Sequence, residues 1–514
     1  MGRFPDERGD SVAWIGRDDA SAVNEEQRRD ALLVASIGLA SGALYVVVYV
    51  AQWAIFRNGL DQEVAGTLLR GDPADGSRLL LQGGAYYGAT LLLFALYGWI
   101  LILCRRGRLW GGRARKLALL FPVLFNAGLL LGHPYQSIDA LTYVAHGYMG
   151  NLPDVNPYAT TAAAVRTTDF ARQLAPSGWL PVHGFTPYGP LWTHLEIAVM
   201  RIAEDVPTTL ALIKAIVVAS SLGSAALIWK ILGRVRPDDQ LLGTLVYLWN
   251  PMIVVEFAAE GHNDALMILC LLASLTLTVS ARPALSTVAS VAGVLVKYLP
   301  LVFLPAQVAY LWHAKRGRAH LATGLLFGIL VGVGLAVVLY WPFWVGIRTF
   351  EGVRLQGQPL VSPSPSGGLY WYLLQTLPPA EAAQFTLWAL AGAFAAFVLV
   401  VSWRARDAAG LLGACASIAL AYVLVVSGHY WPWYASLPLA LVALVPRGIF
   451  LPTALVLTLC SRLVAPMSTL LTNGFLDAGV ALQLKMSVGV TVPLAVLLLL
   501  CLRRWLRRKA PAKD

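Results

Sequence analysis

Apolar runs long enough to cross a hydrocarbon layer of roughly 30 Å recur from residue 31 to residue 502, most of them bounded by Arg, Pro or Gly. This repetition constrains the fold more than any motif does. Of the 514 residues 57% are hydrophobic and only 13% charged, with 17 Trp and 19 Tyr. The mean hydropathy of +0.64 is too high for an ordinary soluble enzyme. No large soluble domain fits between the runs. The first 30 residues carry five Arg and eight acids with few apolar positions, and read as a disordered cytoplasmic tail and not as a cleavable signal peptide.

The periodicity predicts helical segments at about 31–55, 83–104, 116–132, 207–232, 240–259, 263–280, 284–297, 299–313, 320–344, 381–403, 410–427, 431–446, 450–466 and 486–502. That makes about 12–14 spans in one transmembrane domain, 31–514, crossing the cell (plasma or inner) membrane with both termini in the cytoplasm. Charge sets the orientation. The loops "CRRGRLWGGRARK", "KILGRVRP", "HAKRGRAH", "WRARD" and the tail "RRWLRRKAPAK" all fall on one side, as the positive-inside pattern requires. The net charge of +11 therefore does not call for a nucleic-acid partner. Segments 284–297 and 299–313 are too short to cross upright, and "VLVKYLPLVFLP" joins them through a Lys and a Pro. They are expected to be partial spans meeting in a protein-lined or water-filled place. The five cysteines, Cys104, Cys270, Cys415, Cys460 and Cys501, lie in apolar segments with no CxxC spacing, so neither disulfides nor a sulfur metal site is expected.

The outer loops are unequal. The longest, 133–206, contains "PLWTHLEIAVMRIAED", whose spacing suits a helix lying in the membrane interface. Loop 345–380 contains "RLQGQPLVSPSPSGG" and reads as a flexible segment able to act as a lid. No internal repeat of the inverted-transporter kind is evident.

The chemistry gathers on the outer side. "HPYQSIDALTYVAHGYM" stacks Asp139, Tyr143 and His146 on one helix face, and "GWLPVHGFTPYGPLW" adds His183, Tyr188 and Trp192. "EGHND" places Glu260, His262, Asn263 and Asp264 between two apolar runs; Lys297, Arg348, Arg354 and His429 of "SGHYWPWY" complete the set. Each has a plainer reading: Asp139 as a charge at a helix N-terminus, Tyr and Trp as an interfacial belt, the arginines as partners of lipid headgroups, "EGHND" as a polar turn. Convergence on one face favours function. Lys297 with a loop Arg could neutralise a phosphodiester leaving group, and an outward carboxylate could deprotonate an acceptor hydroxyl. No P-loop or GxGxxG accompanies a strand, so the sugar donor would be lipid-linked.

The ordered set "IDALTYVAHGYMGNLPDVNPYA", "FTPYGPLW", "NPMIVVEFAAEGHNDALM", "LVKYLP" and "HYWPWY", spanning 116–445, resembles the GT-C fold glycosyltransferases. It lies near the polyprenol-phosphate-mannose-dependent alpha-1,6-mannosyltransferases and their family 87 relatives. The resemblance implies an all-α polytopic fold with a large catalytic extracytoplasmic loop containing interfacial helices. It implies a metal-independent, cofactor-free, inverting transfer from a polyprenyl-phosphate sugar to a glycan or glycolipid of the lipoglycan kind. Asp139 would be the base. Lys297, His429 and Arg354 (or Arg348) would hold the donor phosphate; His262 and Asp264 would shape the sugar pocket, which Tyr143, His146, His183, Tyr188 and Glu260 would extend. Two other classes remain open from residues alone: a flippase for lipid-linked glycans, with Lys214 and Glu256 as its few mid-membrane polar groups, and a ligase or polymerase that uses polyprenyl diphosphate donors.

Overall fold

The computed structural model describes residues 17–64, 76–109, 111–165, 167–174, 184–313, 318–467, 470 and 478–509. Among these residues the chain is helical throughout and has no strand beyond an isolated bridge between Val345 and Ile347. Helices α1 (Arg17–Val64) and α2 (Gly76–Arg105) pack together, with α3 (Gly112–Leu130) against α1. The long loop then folds into α4 (Asp139–Met149), α5 (Asp169–Leu174) and α6 (Pro190–Ala203), with α4 lying on α6. Next come α7 (Val206–Val235), α8 (Gln240–Leu248) and α9 (Pro251–Val254), which runs into a π-helical turn at Val255–Ala259. Helices α10 (Asp264–Val279) and α11 (Pro283–Val296) form the most extensive pair, and a 3-10 turn at Leu299–Phe303 leads to α12 (Leu304–His313) and α13 (Arg318–Tyr340). The chain closes with α14 (Glu351–Gln356), α15 (Pro365–Leu373), α16 (Pro379–Trp403), α17 (Ala408–Ala421), α18 (Ser436–Val442), α19 (Phe450–Val464), α20 (Ala478–Met486) and α21 (Val492–Lys509).

All fourteen segments predicted from periodicity are helical, but they are not equal. Among the described residues seven helices are long and apolar enough to cross a membrane: Glu25–Phe56, Leu80–Arg105, Val206–Val235, Leu321–Phe343, Pro379–Trp403, Ala408–Val426 and Gly479–Arg507. An eighth span is Pro237–Ala259, bent by 51° where α8 gives way to α9. The bend has a local cause. Pro251 cannot donate to the preceding turn, and the Asn250 side chain accepts from the Met252 N–H at 3.0 Å, so the helix stops and restarts there. Of the shorter pieces α18 is wholly buried, where broken backbone is tolerated because lipid does not reach it, while α11 and α12 pack on α10, α13 and α16 and leave Leu285, Val308 and Trp312 exposed.

Lipid-facing and protein-facing helices differ in what they expose. Leu326, Phe327, Leu330 and Val338 of α13, and Trp388, Leu399 and Val400 of α16, point out of the bundle. Between α10, α11 and α12 the contact is instead polar: Ser274 Oγ lies 2.7 Å from Ser290 Oγ and donates to Gln307 Oε1 at 2.7 Å, while Thr278 Oγ1 donates to the same oxygen at 2.9 Å. Such bonds stand in for the hydrophobic drive that lipid does not supply between helices.

Two expectations change in detail. Helix α1 begins at Arg17, so the second half of the 1–30 tail is helix and not disordered chain; its first sixteen residues lie outside the described ones. The 345–380 loop folds into α14 and α15 and is tied down: Ser364 caps α15, Ser366 Oγ donates to the Ser427 carbonyl at 3.0 Å, and Thr491 Oγ1 donates to the Pro363 carbonyl at 3.1 Å. Its serines, which read as linker residues, are spent on caps and cross-ties.

Helix α6 docks on α11 backbone to backbone. A Cβ at Gly189 would sit 2.2 Å from the Leu295 carbonyl oxygen, although the glycine's own backbone is extended and unstrained. Gly189→Ala is therefore expected to destabilise the folded protein by about 1–3 kcal/mol. Gly84→Ala, with open space around it, should be neutral or mildly stabilising. Thermal unfolding of both variants in detergent checks this; equal melting temperatures would refute the close approach.

Candidate active site

The π turn at Val255–Ala259 ends where the Glu260 N–H donates to the Val255 carbonyl at 3.0 Å. Gly261 then takes a left-handed φ of 78°, which reverses the chain and starts α10 at Asp264. A Cβ there would meet Lys214 Cγ at 3.0 Å. This turn buries all of "EGHND": Glu260, His262, Asn263 and Asp264 are each at most 4% exposed. Insertion of one residue into a helical turn is a frequent device at functional sites, because it re-aims the side chains that follow.

The buried acids and bases pair off. His262 Nδ1 is 3.4 Å from Asp139 Oδ2, and His262 Nε2 is 3.2 Å from Glu256 Oε2. The other Glu256 oxygen accepts from Arg462 of α19, whose guanidinium also donates to Gln136 Oε1 at 2.9 Å and to the Tyr86 hydroxyl at 2.6 Å. Lys297, extended between α11 and the 3-10 turn, donates to Asp264 Oδ2 at 2.8 Å. Lys214 donates to the Leu129 and Gly132 carbonyls at the C-terminal end of α3, where a cation suits the helix dipole. Glu260 Oε2 accepts from the Gln136 and Ser137 N–H groups at 3.0 and 3.1 Å, and so fixes the strand of loop that delivers Asp139 to the start of α4.

Burial works against an imidazolium at His262, but the Asp139 and Glu256 carboxylates more than offset it and lift its pKa to about 9. Burial, reinforced by the Glu256 charge, lifts Glu260 to about 7 against the opposing pull of His262. His429 moves the other way: burial and the ammonium of Lys485 hold it below its ordinary value.

A cavity of about 310 Å³ opens beside this network, lined by Gln136, Ser137, Ile138, Asp139, Tyr188, Lys297, Gln356, Trp431, Trp433 and Tyr434. Trp433 is stacked between His262, at 3.8 Å, and Trp431, at 5.3 Å, and Lys485 sits 4.1 Å over the Trp431 ring. One column of rings thus forms a wall of the cavity and backs the histidine behind Asp139. A second cavity of about 370 Å³, at the far end of the bent span, is lined by Arg105, Asp238, Asp239 and Arg447. There Arg447 pairs with Asp239 at 2.6 Å and no histidine takes part, so the first cavity has the richer chemistry although it is the smaller.

Of the residues singled out from sequence, Asp139, Lys297 and Tyr188 line the cavity. His262, Asp264 and Glu260 stand behind it as supports of Asp139, Lys297 and the 136–137 backbone, and so do not themselves form its wall. Tyr143 is buried against Tyr188 and Trp192. His146 faces Glu196 of α6 at 3.9 Å, between α4 and α6 and away from the cavity, and burial raises the pKa of that carboxyl well above its usual range. Arg354 is exposed and bonded to Glu351 at 2.6 Å, Arg348 is exposed, and neither Arg nor His429 lines the cavity. His183 lies outside the described residues. Sequence reading missed Arg462, the single charge in "FLPTALVLTLCSRLV", and it passed over Gln136, Gln356 and the two tryptophans inside motifs already quoted. The lone charge in an apolar helix was the available signal.

Fold and site together define a multi-pass helical membrane protein with a carboxylate and an ammonium on one cavity. Residues 34–314, more than half of the chain, match the family model of the alpha-(1->6)-mannopyranosyltransferase N-terminal domain, and the chain belongs to that family. It is thus a glycosyltransferase that transfers mannose. No curated protein matches the chain.

Because folding raises the pKa of His262 above its unfolded value near 6.5, the stability from its protonation is complete below pH 6.5 and is lost as pH rises through about 9. The raised Glu260 acts in the same direction, its contribution fading between its unfolded pKa near 4.5 and about 7. The melting temperature is therefore expected to fall steadily from pH 6.5 to 9.5. His262→Gln should be less stable at pH 6.5 and flatter across this range; a parallel decline in both proteins would count against an ionised His262.

Proposed function

We propose that the protein is a GT-C type inverting mannosyltransferase that takes mannose from a polyprenyl-phosphate donor and adds it to a hydroxyl of a glycan or glycolipid of the cell envelope. The observation that carries the reading is the presence of Asp139 and Lys297 on one cavity, each held by a buried partner. In this scheme the acceptor hydroxyl gives its proton to the Asp139 carboxylate as its oxygen attacks the anomeric carbon. The bond from that carbon to the phosphate oxygen breaks, and the polyprenyl phosphate leaves with the negative charge.

Lys297 is suited to that developing charge, being an ammonium already on the cavity and needing no metal to supply it. Arg354 is two residues from cavity-lining Gln356 on α14 and would serve the phosphate by leaving Glu351; Arg348 lies just ahead of it. His429, held neutral at pH 7, would act as a hydrogen-bond donor and not as a charge. Tyr188, Trp431 and Tyr434 offer ring edges and hydroxyls to a sugar. The arginine-rich loops belong with the cytoplasm, which turns the Asp139 side outward and leaves the nucleotide-free exterior as the place of reaction. Gln356 of α14 would meet the donor from the 345–380 side of the cavity.

The expected result of Asp139→Asn in purified protein is loss of transfer by at least about 100-fold with donor binding retained, since general-base catalysis is commonly worth that much. Near-normal turnover would remove Asp139 from the role. Offered polyprenyl monophosphate and diphosphate mannose in parallel, the wild type should use only the monophosphate, and Lys297→Met should lower kcat/KM for it by about 10-fold or more. Preference for the diphosphate would instead favour the ligase or polymerase class.

A further inference from the structure

Arg462 lies in α19, beyond the matched residues 34–314, and is 1% exposed. It gathers three separate parts of the chain: Glu256 of the π turn, Gln136 of the loop before α4, and Tyr86 of α2, whose hydroxyl in turn donates to the Arg462 carbonyl at 2.9 Å. Two of these lead to the cavity. Gln136 lines it, and Glu256 reaches it through His262, whose far nitrogen faces Asp139. Trp433, stacked 3.8 Å from the imidazole, leaves that ring little freedom to turn.

We propose that Arg462 is a positioning residue for mannosyl transfer: through Glu256 and His262 it fixes the orientation and charge of Asp139, so the C-terminal helices set the geometry of a base carried by the N-terminal half. The inference rests on Asp139 being the base. Its physical content is a chain of alternating charge, Arg462, Glu256, His262 and Asp139, in which no link is stable alone. Without Arg462 the buried Glu256 lacks its guanidinium and takes up a proton. His262 then faces one carboxylate instead of two and holds its own proton less well. Asp139 loses a fixed cation at its side and becomes more basic and less well aimed. The charged and titratable groups facing His262 are Asp139, Glu256 and Glu260; those facing Arg462 are Glu256, Glu260, Tyr45 and Tyr86, with Lys214 beside Glu260. Glu260 also titrates near neutrality, so the pH profiles are compared in a Glu260→Gln background as well.

The test uses the full-length protein in nanodiscs with polyprenyl-phosphate mannose and a synthetic mannoside acceptor. Arg462→Gln and Glu256→Gln should each lower kcat by about 10- to 100-fold with donor KM changed by less than about 2-fold, and should move the acidic limb of the kcat/KM profile upward by about one pH unit. Arg462→Lys should recover part of the loss. Because buried ion pairs can often be replaced by apolar pairs without loss of stability, Arg462→Met/Glu256→Met keeps the test alive if the single variants misfold. This double variant should show the same kcat loss, no worse than the poorer single. Full kcat in the double variant, or additive losses with an unmoved acidic limb, would overturn the proposal. Independently of any donor, the ¹⁵N signal of His262, assigned by its disappearance in His262→Gln, should show a lower protonation midpoint in Glu256→Gln and in the double variant. An unchanged midpoint overturns the relay even if the wild type rejects the donor, whereas a shifted midpoint with an inactive wild type keeps the relay and retires the donor assignment.

Discussion

A charge buried in a membrane protein has to be neutralised where it stands, and the contact of Arg462 with Glu256 is where this chain meets that demand. Glu256 sits in a π turn inside an apolar span, 1% exposed, and would be prohibitively expensive without a cation. Supplying one from α19 brings the C-terminal helices against the N-terminal half. Once Glu256 is held, its second oxygen is free to hold His262, and His262 to hold Asp139. The position of the cavity's carboxylate thus follows from the pairing of a charge well behind it.

The second constraint is that Asp139 and Lys297 must share a cavity without collapsing onto each other. Each is engaged from behind, Asp139 by His262 and Lys297 by Asp264 at 2.8 Å, and Lys297 also lies 5.7 Å from the Tyr434 ring. Preorganised in this way, a carboxylate and an ammonium can face different parts of one substrate. The two supporting residues, His262 and Asp264, come from one turn, which is why a five-residue stretch carries so many polar groups in so apolar a setting.

Much of this was legible in the sequence, and what was not has a physical reason. Helix positions followed from apolar periodicity, and the start of α4 at Asp139 and the helix over "PLWTHLEIAVMRIAED" followed from side-chain spacing. The polarity of "EGHND" signalled importance but not direction: a buried turn and a cavity wall have the same composition, and only the left-handed Gly261 and the π turn decide that these residues point at Asp139 and Lys297 from behind. The 345–380 segment reads as flexible in sequence and folds into two short helices, because Ser, Pro and Gly serve both flexible linkers and capped short helices. Arg462 stands out as a lone charge in an apolar helix, but its role does not. Its partners are 206 and 326 residues away in sequence, and no local pattern encodes so long a contact.

Irregular backbone and chemistry coincide around the cavity. The π turn carries Glu256, the positive-φ glycine precedes His262, the break between α11 and the 3-10 turn exposes Lys297, and the 3-10 turn at Pro432–Ala435 presents Trp433 and Tyr434. In lipid a broken helix leaves backbone groups unsatisfied, so breaks can persist only where protein or water supplies partners. A cavity is such a place. It also needs side chains delivered at angles that a regular helix cannot give. The same low tolerance of lipid for loose polar groups that confines the breaks therefore concentrates them around one cavity, and the regular spans between act as the frame that keeps those breaks in register.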